Sequence, residues 1–420
     1  MGRNRAGTSG RTVGGALAAG LALALTGCAE GEVAAPGTAG PPASASPAPS
    51  SVVPSGPATD VAPASPEPSA TATASPEAAP EPSSTFSDVA AAGTPDPAAA
   101  EDVVTGLDVP WDLAFLPDGS ALVTLRDEAR VVHVDPDGTL SEVTADGDDG
   151  TVAGVAPDGE GGLLGVTTDA TAEHVFVYLT GPDDNRVVRY AFDRERLALT
   201  EPEPVVTGIP KAEVHNGGRI DLGPDGFLYV ATGDARDTSA SPDTGSLAGK
   251  VLRVTTDGEP APGNPVAGSP VWTSGHRNVQ GLGWSPDGTM WASEFGQNTT
   301  DELNVLRAGA DYGWPEVEGV GDVDGLTDPV ATWDTDEASP SGIAVTADAV
   351  YLAALQGERV WRVPVEDGAV SGEPETVLDG YGRVRHVEVG PDGALWLLTS
   401  NTFRGDPRDG DDRIVRVPLS

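Results

Sequence analysis

The sequence predicts an all-β fold over residues 101 to 420, a six-bladed β-propeller of four-stranded antiparallel blades. Three observations predict it. Nearly all the aromatic and β-branched residues lie in that span, its turns are rich in Asp, Gly and Pro, and no apolar pattern of 3.6-residue period is sustained through it. A motif of basic or polar residue, apolar pair, polar residue and apolar residue recurs six times, beginning at Arg130, Arg186, Lys250, Asp301, Arg359 and Arg413, at spacings of 51 to 64 residues. Ahead of each copy stands a more apolar run, as in ALVTL at Ala121, FLYVATG at Phe227 and ALWLLTS at Ala394.

Each pair of runs reads as part of one blade, the apolar run as a buried inner strand and the half-polar motif as an outer one. The PDG at Pro117, Pro224, Pro286 and Pro391 stands just before the apolar run and reads as the tight turn feeding it. Because the span opens on VVTGLDVPWDLAF and closes on RIVRVPLS, its first strand is expected to complete the last blade. The register leaves no place for a seventh blade.

Residues 1 to 28 read as a lipoprotein-type signal peptide. Arg3, Arg5 and Arg11 precede an apolar run that ends in Leu25-Thr26-Gly27-Cys28, a pattern resembling a bacterial lipobox. Cys28 is the only cysteine, so it has no disulfide partner within the chain, and lipidation of Cys28 is the expected fate. The chain would then be exported, extracytoplasmic, and held to the cell membrane by that lipid alone. Residues 29 to 100 are Pro, Ala, Ser, Thr and acid, too poor in apolar surface to fold, and read as a disordered, semi-stiff tether. A net charge of -41 argues against nucleic acid as a partner.

Propellers place function on the loops at one mouth of the central channel, and three loops carry unusual residues. His215-Asn216-Gly217-Gly218 precedes one strand, with glycines that permit close approach of backbone to a potential base. His276-Arg277-Asn278 holds the same place in the next unit. Arg383 and Arg385 precede a third strand and alternate by two, so both side chains project to one side. Two guanidiniums together in an acidic chain suit an anionic, carboxylate-bearing ligand, although nearby acids could also pair them. The segment from Glu294 to Asp301 and on to Tyr312 mixes carboxylates with glycine-freed carbonyls, as calcium prefers.

With these residues in view the chain resembles the quinoprotein glucose/sorbosone dehydrogenase family. The likeness runs through VPWDLAFLPDG, GEGGLLG, HNGGRIDLGPDGFLYVATGD, GHRNVQGLGWSPDG, SEFGQNTTDELN, ADYGWPEVEG and YGRVRHVEVGPDG, in that order. It implies a six-bladed propeller that oxidises aldose sugars to lactones with pyrroloquinoline quinone and Ca2+, passing electrons to an external acceptor. It implies His215 as general base, Arg277 beside the quinone oxygen with Asn278 as a neighbouring contact, and Arg383 and Arg385 on the cofactor's carboxylates. It also implies the carbonyls of Gly296 and Gln297 as ligands of a calcium ion at the quinone, and Glu302 and Tyr312 at a second calcium.

Three positions depart from the family pattern. Glu160 stands where glutamine is frequent, and an anion there would oppose a reduced quinone unless protonated or paired. Gln356 replaces a lysine and keeps a hydrogen bond without the charge. Val214 stands where an aspartate precedes the histidine in the soluble glucose enzymes. Two other readings stay open at this stage: a propeller lactonase or esterase, which needs a central metal held by side chains, and a noncatalytic propeller that binds glycans or another protein.

Overall fold

A computed structural model describes residues 92 to 420. The leader with Cys28, and the tether up to residue 91, lie outside the described residues.

Six antiparallel sheets follow one another along the chain, each with at least four strands. Blade 1 holds Pro110–Phe115, Ala121–Leu125, Arg130–Val134 and Leu140–Val143 from the axis outward. Blade 2 runs from Leu163–Thr168 to Ala198–Ile209, blade 3 from Ile220–Leu222 to Val271–Thr273, and blade 4 from Val279–Trp284 to Ala331–Asp334. Blade 5 begins at Pro340–Val345, and its outer edge is shared by the short Ala369–Val370 and by Glu375–Asp379. Blade 6 contributes Val384–Val389, Leu395–Thr399 and Arg413–Val417, and Glu101–Thr105 adds antiparallel to the last of these. The first strand therefore completes the last blade, as its position in the sequence predicts.

One assignment within each blade needs correction. The apolar runs such as Ala121–Leu125 are the second strands, and the repeated half-polar motif is the third. The strand nearest the axis is the less apolar stretch ahead of the turn, because it faces a polar channel: Asp112, Arg219, Gln280, Ser341, Arg385 and Glu388 all stand on or at the edge of these strands. The second strands are largely apolar because both their faces are covered by neighbouring blades. Leu122, Val175 and Val177 pack with Leu163 and Tyr190 between blades 1 and 2, and Trp291, Leu303, Val350 and Leu352 pack between blades 4 and 5.

The residues just ahead of Glu101, which composition places with the tether, lie along the chain's end. Thr94 donates its N–H to the Ser420 carbonyl at 3.1 Å and Asp96 to that of Pro418 at 2.9 Å. Among the described residues no helix is long and apolar enough to cross a membrane.

Candidate active site

The loops that enter the axial strands of blades 2, 3, 4 and 6 converge at one mouth of the channel. The His215 loop is set by its glycines. Gly217 has φ +63°, and a Cβ there would come within 2.6 Å of Ala231 and Thr232, so the loop lies directly on the second strand of its own blade. Asn216 ties the loop down from below: its Nδ2 donates to the Ala212 carbonyl at 2.8 Å, and its own carbonyl accepts the Tyr178 hydroxyl. His215 itself stands at φ +62°, a left-handed conformation that few non-glycine residues adopt.

The imidazole is held at both nitrogens. Nδ1 lies 2.7 Å from Oδ1 of Asp234, and Nε2 lies 2.9 Å from a terminal nitrogen of Arg277. A carboxylate only accepts and a guanidinium only donates, so the pair of contacts fixes the proton on Nδ1 and leaves a bare lone pair on Nε2. Asp234 is fully buried, and it also accepts from Trp314 Nε1 at 2.9 Å and from the Arg236 N–H at 2.8 Å. Burial alone would raise its pKa, but the hydrogen bonds from His215 and Arg236 outweigh that and hold it below the usual carboxylate value. The sequence reading missed both Asp234 and Trp314 as site residues.

Arg277 donates its backbone N–H to Glu294, and its guanidinium reaches the Phe295 carbonyl at 3.2 Å and lies over the Trp314 ring. His276, next to it, is enclosed between Glu294 and Thr273 and is structural. Asn278 spends its Oδ1 on the Gly217 N–H at 3.0 Å, joining the second loop to the first.

Arg383 and Arg385 arrive from blade 6. Arg385 is only 4% exposed and donates to Gln280 at 2.7 Å, whereas Arg383 is half-buried and reaches the Leu355 carbonyl at 3.3 Å. Buried Nε atoms of Arg277, Arg383 and Arg385 have no partner among the described residues. Burial lowers the pKa of all three, and Arg126, just past the second strand of blade 1, adds its repulsion to the burial of Arg385. Buried guanidinium donors without a hydrogen-bond partner mark a place for an anion.

The remaining candidates divide. Glu160 is at the mouth, with Oε1 on Arg404 at 2.7 Å and Oε2 accepting the His215 N–H at 3.2 Å. Its charge is thus paired, by a residue 244 positions away. Gln356 is exposed in the connection between the second and third strands of blade 5, next to Leu355, whose carbonyl Arg383 reaches. Gly296 and Gln297 lie on the loop after Glu294, and neither carbonyl receives a hydrogen bond among the described residues. Glu302, Glu294, Tyr312 and Glu318 line one small cavity beside Arg277. Burial, followed by the charge of Glu294, pushes Glu302 up to about 8. The Tyr312 hydroxyl is turned away to the Val305 carbonyl, so that residue could meet a cation only through its backbone. Among the described residues no three His, Cys, Asp or Glu side chains form a metal cage.

A family profile for glucose/sorbosone dehydrogenases matches residues 107 to 405. The chain belongs to that family. It is 49% identical to a Streptomyces coelicolor aldose sugar dehydrogenase solved in its PQQ-bound form, with a TM-score of 0.74 over 79% of this chain and 99% of the other. An aldose sugar dehydrogenase of Escherichia coli is 29% identical over 70% of this chain and 88% of its own length. The quinoprotein glucose dehydrogenase B of Acinetobacter calcoaceticus is 29% identical, over 53% of each chain. In this glucose/sorbosone dehydrogenase family member, then, the converging loops occupy the mouth of a fold shared closely with a quinone-bound relative.

Proposed function

We propose that the protein oxidises aldose sugars at the anomeric hydroxyl, yielding lactones, with pyrroloquinoline quinone as cofactor and Ca2+ beside it. The observation that carries this reading is the line Asp234–His215–Arg277, a base with its lone pair presented at the rim of an arginine cradle. The quinone is a tricarboxylate, and the unpartnered nitrogens of Arg277, Arg383 and Arg385 fit such an anion. The free carbonyls of Gly296 and Gln297 suit a calcium ion at the quinone, and the crowded carboxylates at Glu302 and Glu294 suit a second one, with the Tyr312 carbonyl. Bound in that cradle, the quinone supplies the two-electron acceptor for hydride leaving the anomeric carbon.

The chain's own residues do the rest. The sugar hydroxyl takes the place of the Arg277 N–H at His215 Nε2 and gives its proton there. Asp234 stabilises the resulting imidazolium and holds the ring in one orientation. Arg277, released from His215, would be left as a donor in the cradle able to stabilise negative charge on an oxygen there, and the Trp314 ring limits where its guanidinium can go. Electrons then leave for an external acceptor. The bound quinone in the Streptomyces coelicolor relative and the names of the Escherichia coli and Acinetobacter relatives support the substrate and cofactor. Export and anchoring through lipidated Cys28 remain part of the proposal.

Titration of the purified protein with pyrroloquinoline quinone and calcium, followed by an aldose and an artificial electron acceptor, tests it. Saturable quinone binding and lactone formation are the expected result. No binding at micromolar quinone would overturn the reading, and binding without turnover on any aldose would overturn the substrate.

A further inference from the structure

Glu160 and Arg404 come from the two blades that flank blade 1. Glu160 lies in the turn entering blade 2, and Arg404 lies in the connection between the second and third strands of blade 6. The contact links a chain of groups. Arg126 stacks on the Phe403 ring at 3.8 Å, Arg404 lies 4.8 Å from the same ring, Arg404 pairs with Glu160, and Glu160 accepts the N–H of left-handed His215. The Glu160 carboxylate is also an electrostatic neighbour of Arg277, Arg383 and Arg385, so its field reaches the whole cradle. An unpaired carboxylate at that point would compete with any anionic ligand for those three guanidiniums.

We propose that Arg404 is a positioning residue, which by pairing with Glu160 keeps that carboxylate off the arginine cradle and clamps the backbone of His215. The inference rests on the quinone reading for its first half and on the Arg404–Glu160–His215 contacts alone for its second. Arg404 touches neither the reacting atoms nor the base. Arg404 also repels Arg383 directly, but the part of its effect that runs through Glu160 is the part that removing both members should restore.

Two measurements on the full protein separate these parts. In low salt with calcium, quinone affinity is read from quenching of tryptophan fluorescence. Arg404→Ala should weaken binding about fivefold, as expected for losing a half-exposed ion pair beside an anion. Arg404→Lys should recover most of the loss, and Glu160→Gln with Arg404→Ala should bind within about twofold of wild type. In the quinone-free protein, hydrogen exchange is followed at the His215 amide, which should exchange several-fold faster in Arg404→Ala and return toward the wild-type rate in Arg404→Lys. Unchanged affinity in Arg404→Ala, or no recovery in the double variant, overturns the electrostatic half. Unchanged exchange overturns the clamp. If the wild type binds no quinone, the proposed function falls and with it the electrostatic half, while the exchange result still decides the clamp.

Discussion

The two ends of the blades are built on different rules. At one end, in four of the six blades, the axial strand turns into the second strand through a short Asp-Gly turn repeated with little variation, and Gly119, Gly226, Gly288 and Gly393 there all have φ between +75° and +87°. At the other end no two loops share a sequence, and side chains from blades 2, 3, 4 and 6 meet within hydrogen-bonding distance. The first end solves the same chain-reversal problem in blade after blade. The second holds polar groups that packing does not require, including a left-handed histidine and guanidinium nitrogens without partners. Left-handed residues and unmet donors occur elsewhere in the protein too, but here they fall on polar side chains that converge on one mouth, which is the physical mark of a site.

The largest effect that separates the two ends should come from the base. His215→Ala should reduce turnover by a factor on the order of 10²–10⁴ while leaving quinone affinity nearly intact. Asp234→Asn should cost a comparable factor, because an amide can donate to Nδ1 and so favours the tautomer whose Nε2 carries the proton. Steady-state kinetics on an aldose with saturating quinone decide both. A fully active His215→Ala would end the base assignment.

Arg383→Ala should act on binding first. Loss of a charge-assisted contact to a carboxylate corresponds to about a 10–100-fold weaker quinone affinity, with kcat at saturating quinone less affected. A fluorescence titration reads the affinity directly. If instead kcat falls and affinity holds, Arg383 belongs with the reacting atoms and not with the cradle.

The asymmetry between the ends explains which parts of the structure the sequence displays. The six units were legible because the third-strand motif and the Asp-Gly turns repeat, and repeats follow from a scaffold that solves one problem many times. The axial strands were misplaced because they face a polar channel, so stretches such as Arg219-Ile220-Asp221 do not stand out as buried strand. At the mouth, His215 and Arg277 were legible as rare residues at equivalent places in neighbouring units. Asp234 was not: it follows the buried run FLYVATG as an ordinary turn residue would, in a chain with 65 acids. Only the return of the second strand to the same rim, nineteen residues after His215, brings it to Nδ1. The compensation of Glu160 by Arg404 was equally hidden, since nothing in sequence spacing joins residues so far apart.

Between the two ends, the channel carboxylates offer a smaller test. Burial raises Asp221 to about 6, and burial together with the charge of Asp221 raises Glu388 to about 8. The Glu388 side chain is 38% exposed by area, but its strand faces the channel, where hydration is restricted. Both folded values lie above the unfolded ones, so the folded state binds protons more tightly. Their contribution is full below about pH 4 and is lost as pH rises through 8. In metal-free buffer Tm should fall across that window, and Glu388→Gln should flatten its upper part. An unchanged slope in Glu388→Gln would mean that water in the channel screens the carboxylate fully.

The smallest effect should come from the turn end, and it bears most directly on the contrast. Gly226 and Gly217 have similar dihedrals, at φ +75° and +63°, but a Cβ at Gly226 meets nothing within 4 Å, whereas one at Gly217 collides with the second strand. Gly226→Ala therefore carries only the cost of a left-handed alanine, about 1 kcal/mol by denaturant unfolding, and should leave turnover and quinone affinity unchanged. Gly217→Ala adds a steric clash to the same backbone cost and must move the His215 loop to relieve it, so it should lose activity well beyond its loss of stability. If the two alanines proved equal in both respects, the loop at the mouth would be as tolerant as the turn, and the close approach that places His215 against Asp234 would not be what holds the base.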